Sequence, residues 1–145
     1  MVKNNNTKLG SMRNGFSRGL LEIAKTNKNI LALTADLRDS LKLDKFAKKY
    51  PTRFYEFGIC EQNMMSAAAG MTINNKIPFV CSYAAFNPGR NWDQLRVSVC
   101  YQNANVKIFR RTCGSYYWKG WSNPPSPRRH SNHTSNPKSS CSCAM

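Results

Sequence analysis

From residue 11 to residue 109 the hydrophobic pattern alternates between helical and strand-like spacing. Phe16, Leu20, Leu21, Ile23 and Ala24 fall near helical spacing and predict a helix over 14–25, with Ser11 placed to cap it. Ile30-Leu31-Ala32-Leu33-Thr34-Ala35 is a continuous apolar run, the pattern of a strand covered on both faces. Leu41, Leu43, Phe46 and Ala47 predict a helix over 40–49 that Pro51 stops. A second strand is expected at 54–58 and a third helix at 62–73, where Ala67-Ala68-Ala69-Gly70 offers a small face for close packing. A third strand follows at 77–81, with Pro78 near its start. A loop over 82–90, a fourth helix over 92–101 and a fourth strand over 106–109 complete the pattern. Strictly alternating strands and helices predict an α/β fold, a doubly wound and mostly parallel sheet.

Beyond Phe109 no apolar periodicity continues, so the predicted sheet is incomplete. The expected organisation is therefore a partial α/β domain over 1–109 and a basic, Ser/Pro/Cys-rich, irregular and disordered tail over 110–145. A strand that feeds no further element leaves an edge at 106–109, a liability for aggregation. The formal net charge of +15 raises nucleic acid or acidic lipid as partners. The charge is uneven: no acid lies after Asp93, and residues 110–145 carry six Lys/Arg. No apolar run approaches the length needed to span a bilayer, so a soluble cytoplasmic protein without a membrane partner is expected. The six cysteines lack the spacing of a secreted scaffold, and three of them lie in apolar segments and read as reduced core thiols.

Candidate chemistry centres on Gly58-Ile59-Cys60-Glu61-Gln62-Asn63-Met64-Met65, where a strand turns into a helix. Ligands in open α/β sheets bind outside the carboxyl ends of the strands, which makes Glu61 a candidate catalytic carboxylate. Position alone favours a plainer reading, in which Glu61 caps its own helix.

The run Arg53-Phe54-Tyr55-Glu56-Phe57-Gly58-Ile59-Cys60-Glu61-Gln62-Asn63-Met64, then Gly70, then Lys76-Ile77-Pro78-Phe79-Val80, resembles the pyrimidine-binding domain of transketolases. Pro88-Gly89-Arg90-Asn91-Trp92-Asp93-Gln94-Leu95-Arg96 and Tyr101-Gln102-Asn103-Ala104-Asn105-Val106-Lys107-Ile108 resemble the C-terminal subunit of the split, two-polypeptide type. The resemblance covers about residues 11–109, and Glu-Gln-Asn fits transketolase better than the Glu-Gln-His usual in deoxyxylulose-phosphate synthase.

The resemblance implies ketol transfer between sugar phosphates with thiamine diphosphate, and a Mg2+ or Ca2+ ion held mainly by a partner subunit. It implies that Glu61 bonds N1′ of the aminopyrimidine and promotes deprotonation at C2 of the thiazolium. That chemistry calls for a carboxyl group in a dry pocket, able to share a proton with a weakly basic ring nitrogen. The same likeness assigns Tyr83 and Phe86 to packing against the aminopyrimidine, against the alternative of ordinary core contacts. It assigns Arg13 and Ser40 to the substrate phosphate, Ser40 at a helix start, against a surface charge and an N-cap. Asp36 is placed near the cofactor and the subunit interface, or is a strand-end turn. Asp93, Gln94 and Arg96 read as polar groups of a structural helix. The implied partners are a diphosphate-binding N-terminal subunit and a second C-terminal subunit, in a heterotetramer.

After Val106-Lys107-Ile108 the family continues with His-Ala-Gly and then Gly-x-Asp-Gly-Ala-Thr-His-Gln, whereas this chain reads Phe109-Arg110-Arg111-Thr112-Cys113-Gly114. Read one base out of frame, the junctions Trp118-Lys119 and Trp121-Ser122 can only encode glycine, and those that follow permit Ala-Thr-His-Gln. Residues from about 110 onward are therefore expected to be out-of-frame translation, and the chain a truncated piece that is inactive alone. Two rival readings take the tail as it stands. Cys113, His130, His133, Cys141 and Cys143 lack the paired spacing of a zinc finger. The basic, aromatic tail has the charge of a nucleic-acid binder but no recognition motif. A non-catalytic binding module or decoy subunit is the alternative function.

Overall fold

The computed structural model describes residues 11–111. Helix α1 spans Met12–Thr26, strand β1 Ile30–Thr34 and helix α2 Asp44–Lys49. A 3-10 turn at Pro51–Arg53 leads into strand β2, Phe54–Glu56, and helix α3 follows at Glu61–Ile73. Strand β3 is Ile77–Tyr83. Helix α4 opens with an α turn at Trp92–Gln94 and continues as π-helix over Leu95–Cys100, before strand β4 at Lys107–Arg111.

The four strands form one parallel sheet in the order β2-β1-β3-β4. Strand β1 is central, and its five residues are all buried. Side chains alternate across a strand, so Leu31 and Leu33 join Met64, Met65, Ala68, Val80, Leu95 and Val99 under α3 and α4. Ile30 and Ala32 join Leu20, Ala24, Phe46 and Cys81 under α1 and α2 on the other face. The apolar run of β1 is thus covered on both sides, as a parallel sheet requires. The chain leaves β1 toward one edge and β3 toward the other, which creates a switch point at their carboxyl ends.

Three expectations need correction. Ser11 stands at the N-cap of α1 but makes no side-chain capping bond. The helix expected over 40–49 begins only at Asp44, because Lys42 has φ +59°, outside the helical region. That turn is pinned by the Ser17 hydroxyl, which donates to the Lys42 carbonyl at 2.6 Å, and by the Leu43 N–H on the Arg38 carbonyl. Strand β4 runs two residues past Phe109: Ser82 pairs with Arg110 and Tyr83 with Arg111. Among the described residues β4 is an edge strand. The frame reading beyond Arg111, and Cys113, His130, His133, Cys141 and Cys143, lie outside the described residues.

The described cysteines differ sharply in setting. Cys60 is exposed, whereas Cys81 is fully buried and burial pushes its thiol well above the ordinary range, keeping it protonated. A thiol reagent at pH 8 is therefore expected to label Cys60 in the native protein and Cys81 only after denaturant is added. Peptide mapping of the labelled protein checks this, and native labelling of Cys81 at a rate like that of Cys60 would contradict the packing of β3.

Candidate active site

The loops that leave the carboxyl ends of the strands carry the candidate residues. After β2 the chain turns at Gly58, whose φ of +63° suits glycine, and enters α3 directly at Glu61. Glu61 is only 3% exposed although it carries a carboxylate. Its side chain does not cap its helix. Instead Arg90 Nη1 donates to both carboxylate oxygens, at 3.3 and 3.2 Å.

Arg90 reaches this position from a tightly built loop after β3. The Asn87–Pro88 peptide is cis. The Asn87 amide donates to the Val80 carbonyl, and the Asn91 amide donates to both the Asn87 side chain and the Glu61 carbonyl. The Gln62 amide donates to the Arg90 carbonyl at 3.2 Å. The loop is thereby tied to the first turn of α3. Gly89 permits the closure, since a Cβ there would run into the Ala85 carbonyl oxygen. Gly89→Ala is expected to lower stability by roughly 1–3 kcal/mol, the usual cost of overpacking. Chemical denaturation measures it, and an unchanged midpoint would mean that the loop is not closely packed.

The guanidinium of Arg90 also lies over the Phe86 ring, 4.3 Å from its centroid. Phe86 and Tyr83 are tilted against each other at 6.2 Å. Tyr83 in turn accepts a hydrogen bond from Arg111 Nη1 at 3.3 Å. Glu61, Phe86 and Tyr83, assigned a shared role from the sequence, are thus in one cluster, joined by two arginines that carried no assigned role.

Arg13 and Ser40 are also brought together, Arg13 Nη1 donating to the Ser40 carbonyl at 3.4 Å. The helix start expected at Ser40 is absent, and the residue lies in the turn before α2. Asp36 is exposed with φ +57°, and its backbone N–H donates to the Glu56 carboxylate at 2.6 Å. This is the geometry of a strand-end turn. Of the other polar groups, Gln94 donates to Asp93 at 3.5 Å and Arg96 to the Tyr101 hydroxyl at 3.2 Å, within the α4 segment.

Arg90 stands in the Pro88-Gly89-Arg90 motif, but nothing in the sequence joined it to Glu61. Arg111 was hidden by the loss of apolar pattern after Phe109. Among the described residues no group of three or more His, Cys, Asp or Glu is placed to hold a metal ion. No helix there is long and apolar enough to cross a membrane.

Comparison with known proteins gives the arrangement a family. The family described as "Transketolase, pyrimidine binding domain" matches residues 10–123. The "Putative transketolase C-terminal section" of Methanocaldococcus jannaschii is 41% identical over 103 residues, covering 71% of this chain and 33% of that protein. An apulose-4-phosphate transketolase subunit of Phocaeicola vulgatus is 40% identical over 105 residues, covering 72% and 34%. A "1-deoxy-D-xylulose-5-phosphate synthase" of Clostridium botulinum is 38% identical over 96 residues, covering 66% and 15%. A solved structure described as "Split gene transketolase, inactive beta4 tetramer" superposes with a TM-score of 0.61 at 44% identity, covering 66% of this chain and 32% of that one. The chain spans about a third or less of the length of these relatives. With a parallel α/β sheet and matches of this extent, the chain belongs to the transketolase pyrimidine-binding domain family.

Proposed function

We propose that this chain supplies the pyrimidine half of a thiamine diphosphate site for ketol transfer between sugar phosphates. The observation that carries the reading is the buried Glu61 carboxylate, set at the carboxyl edge of the sheet and joined through Arg90 to the Phe86 ring. The residues suit the cofactor's aminopyrimidine. They already hold one flat N–H donor, the Arg90 guanidinium, between a carboxylate and an aromatic face. Bound thiamine diphosphate supplies a nucleophilic carbon, C2 of its thiazolium.

Glu61 holds a proton at N1′ of the ring, and Phe86 and Tyr83 orient the ring by stacking. Burial behind α3 and the 84–91 loop excludes water from the carboxylate. Arg13 and Ser40 take the substrate phosphate, and Asp36, in its strand-end turn, lies near the cofactor and a subunit boundary. A diphosphate-binding subunit holds the diphosphate and its Mg2+ or Ca2+, a second copy of this chain completes a heterotetramer, and the assembly is cytoplasmic. Residues from about 110 onward are out-of-frame translation, a reading supported by the absence of acids after Asp93.

A ketol-transfer assay tests the proposal. The chain alone is inactive in this reading, so turnover without a diphosphate-binding subunit would overturn it. A second reading rests on a different feature. Arg18, Lys25, Lys45 and Lys49 line a groove between α1 and α2, on the opposite face of the sheet from α3, with Glu22 beside them paired to Lys25 at 2.7 Å. Non-specific nucleic-acid binding there would fall steeply with salt, and a gel shift at two salt concentrations separates it from the enzyme reading.

A further inference from the structure

Arg90 makes, with its own side chain, the two contacts that an aminopyrimidine needs in this site. Its flat guanidinium lies over the Phe86 ring, 4.3 Å from the centroid. It donates to both oxygens of Glu61. A ring lying on Phe86 with a donor to Glu61 would require the same space and the same acceptor. Both cannot be held at once.

The two partners of this ion pair differ in burial. The side chain of Glu61 is 3% exposed and that of Arg90 is 51% exposed. The Arg90 backbone is fixed by its N–H on the Phe86 carbonyl and by Gln62 on its own carbonyl. The side chain is the part left half-exposed to water. An exposed arginine loses little when it leaves an ion pair. A buried carboxylate left without a donor loses much more. The cost of moving Arg90 therefore falls on Glu61, and only a ligand that brings its own donor removes that cost.

We propose that Arg90 is a competing gate: its guanidinium occupies the pyrimidine position, and any flat ring must displace it, at a cost that a ring donating to Glu61 offsets and a ring without a donor does not. The inference rests on the reading of Glu61 as the pyrimidine carboxylate. It adds to that reading a competitor within the same chain and a rule for which ligands displace it.

The test uses the full chain and two small probes, 4-amino-2-methylpyrimidine and toluene. Binding is followed by the amide NMR signals of residues 61–64 and by the Arg90 Nε–H signal. In the wild type the aminopyrimidine is expected to shift the Arg90 signal in proportion to occupancy, and toluene to leave it in place. Arg90→Ala is expected to bind the aminopyrimidine about tenfold more tightly, the gain for a position open in about a tenth of wild-type molecules. The same variant is expected to keep its preference for the aminopyrimidine over toluene, because the donor to buried Glu61 sets that preference. Arg90→Lys keeps a cation without the flat fork and should fall between the two, which provides a second variant should the alanine protein fold poorly.

Equal or weaker aminopyrimidine binding by a folded Arg90 variant overturns the gate, as does an Arg90 signal that does not move at saturation. Absence of binding by wild type and variants alike overturns it too. Failure of the underlying reading looks different. In that case Glu61→Gln binds the aminopyrimidine as the wild type does, whatever Arg90 variants show.

Discussion

Glu61→Gln is expected to slow exchange of the thiazolium C2 proton with solvent by about 10²–10⁴-fold, the range for a positioned acid–base group. The measurement is deuterium exchange into C2 of thiamine diphosphate, followed by NMR, with the chain paired to a diphosphate-binding subunit. It does not depend on sugar-binding groups, so it isolates what Glu61 contributes to the cofactor. Glutamine keeps the size of the side chain and a polar contact for Arg90, but it cannot hold the proton on N1′. The buried position makes the substitution severe, because water cannot reach the ring nitrogen to replace the lost group. A rate within a few-fold of wild type would end the catalytic reading. Glu61 would then be a buried ion-pair residue fixing the 84–91 loop to α3 through Arg90.

The sequence pattern made the layers of the fold legible because each layer has its own spacing. The unbroken apolar run 30–35 reads as a central strand because β1 is covered by helices on both faces. Glu61 reads as a candidate because a strand ends just before it and a helix begins at it. Its partner was not legible. Arg90 lies 29 residues away and meets Glu61 only through the closed loop that Asn87, Gly89 and Asn91 build. Ser40 was misplaced because the 40–49 apolar spacing fits a helix, whereas the backbone at Lys42 takes a positive φ. Arg110 and Arg111 were set apart from the sheet because they are charged. Strand pairing is made by the backbone, and the Ala84 N–H donates to the Arg111 carbonyl at 3.0 Å regardless of side chain.

Phe46→Ala is expected to destabilise the protein by about 3–5 kcal/mol. Small domains are stable by only about 5–15 kcal/mol, so a large share of the folding free energy is at stake. Phe46 is fully buried beneath α2 and packs in the cluster that contains Leu20, Ala24, Ile30, Ala32 and Leu41. Its ring also meets Tyr50 edge-on, with centroids 5.3 Å apart. Helix α2 has only six residues, too few to hold itself together in water, so its persistence depends on this anchor. Urea denaturation is the measurement, with Trp92→Ala as the comparison. Trp92 is 60% exposed and its loss should change stability by no more than about 0.5 kcal/mol. If Phe46→Ala cost less than the Trp92 variant, α2 would not belong to the core. The anchor also bears on the site, since the turn it secures carries Ser40 to Arg13. A Phe46 variant still folded at low temperature should therefore loosen the Arg13–Ser40 contact first. The Glu61–Arg90 pair depends on the opposite face of the sheet, where Met64 and Met65 are buried, and should persist until global unfolding.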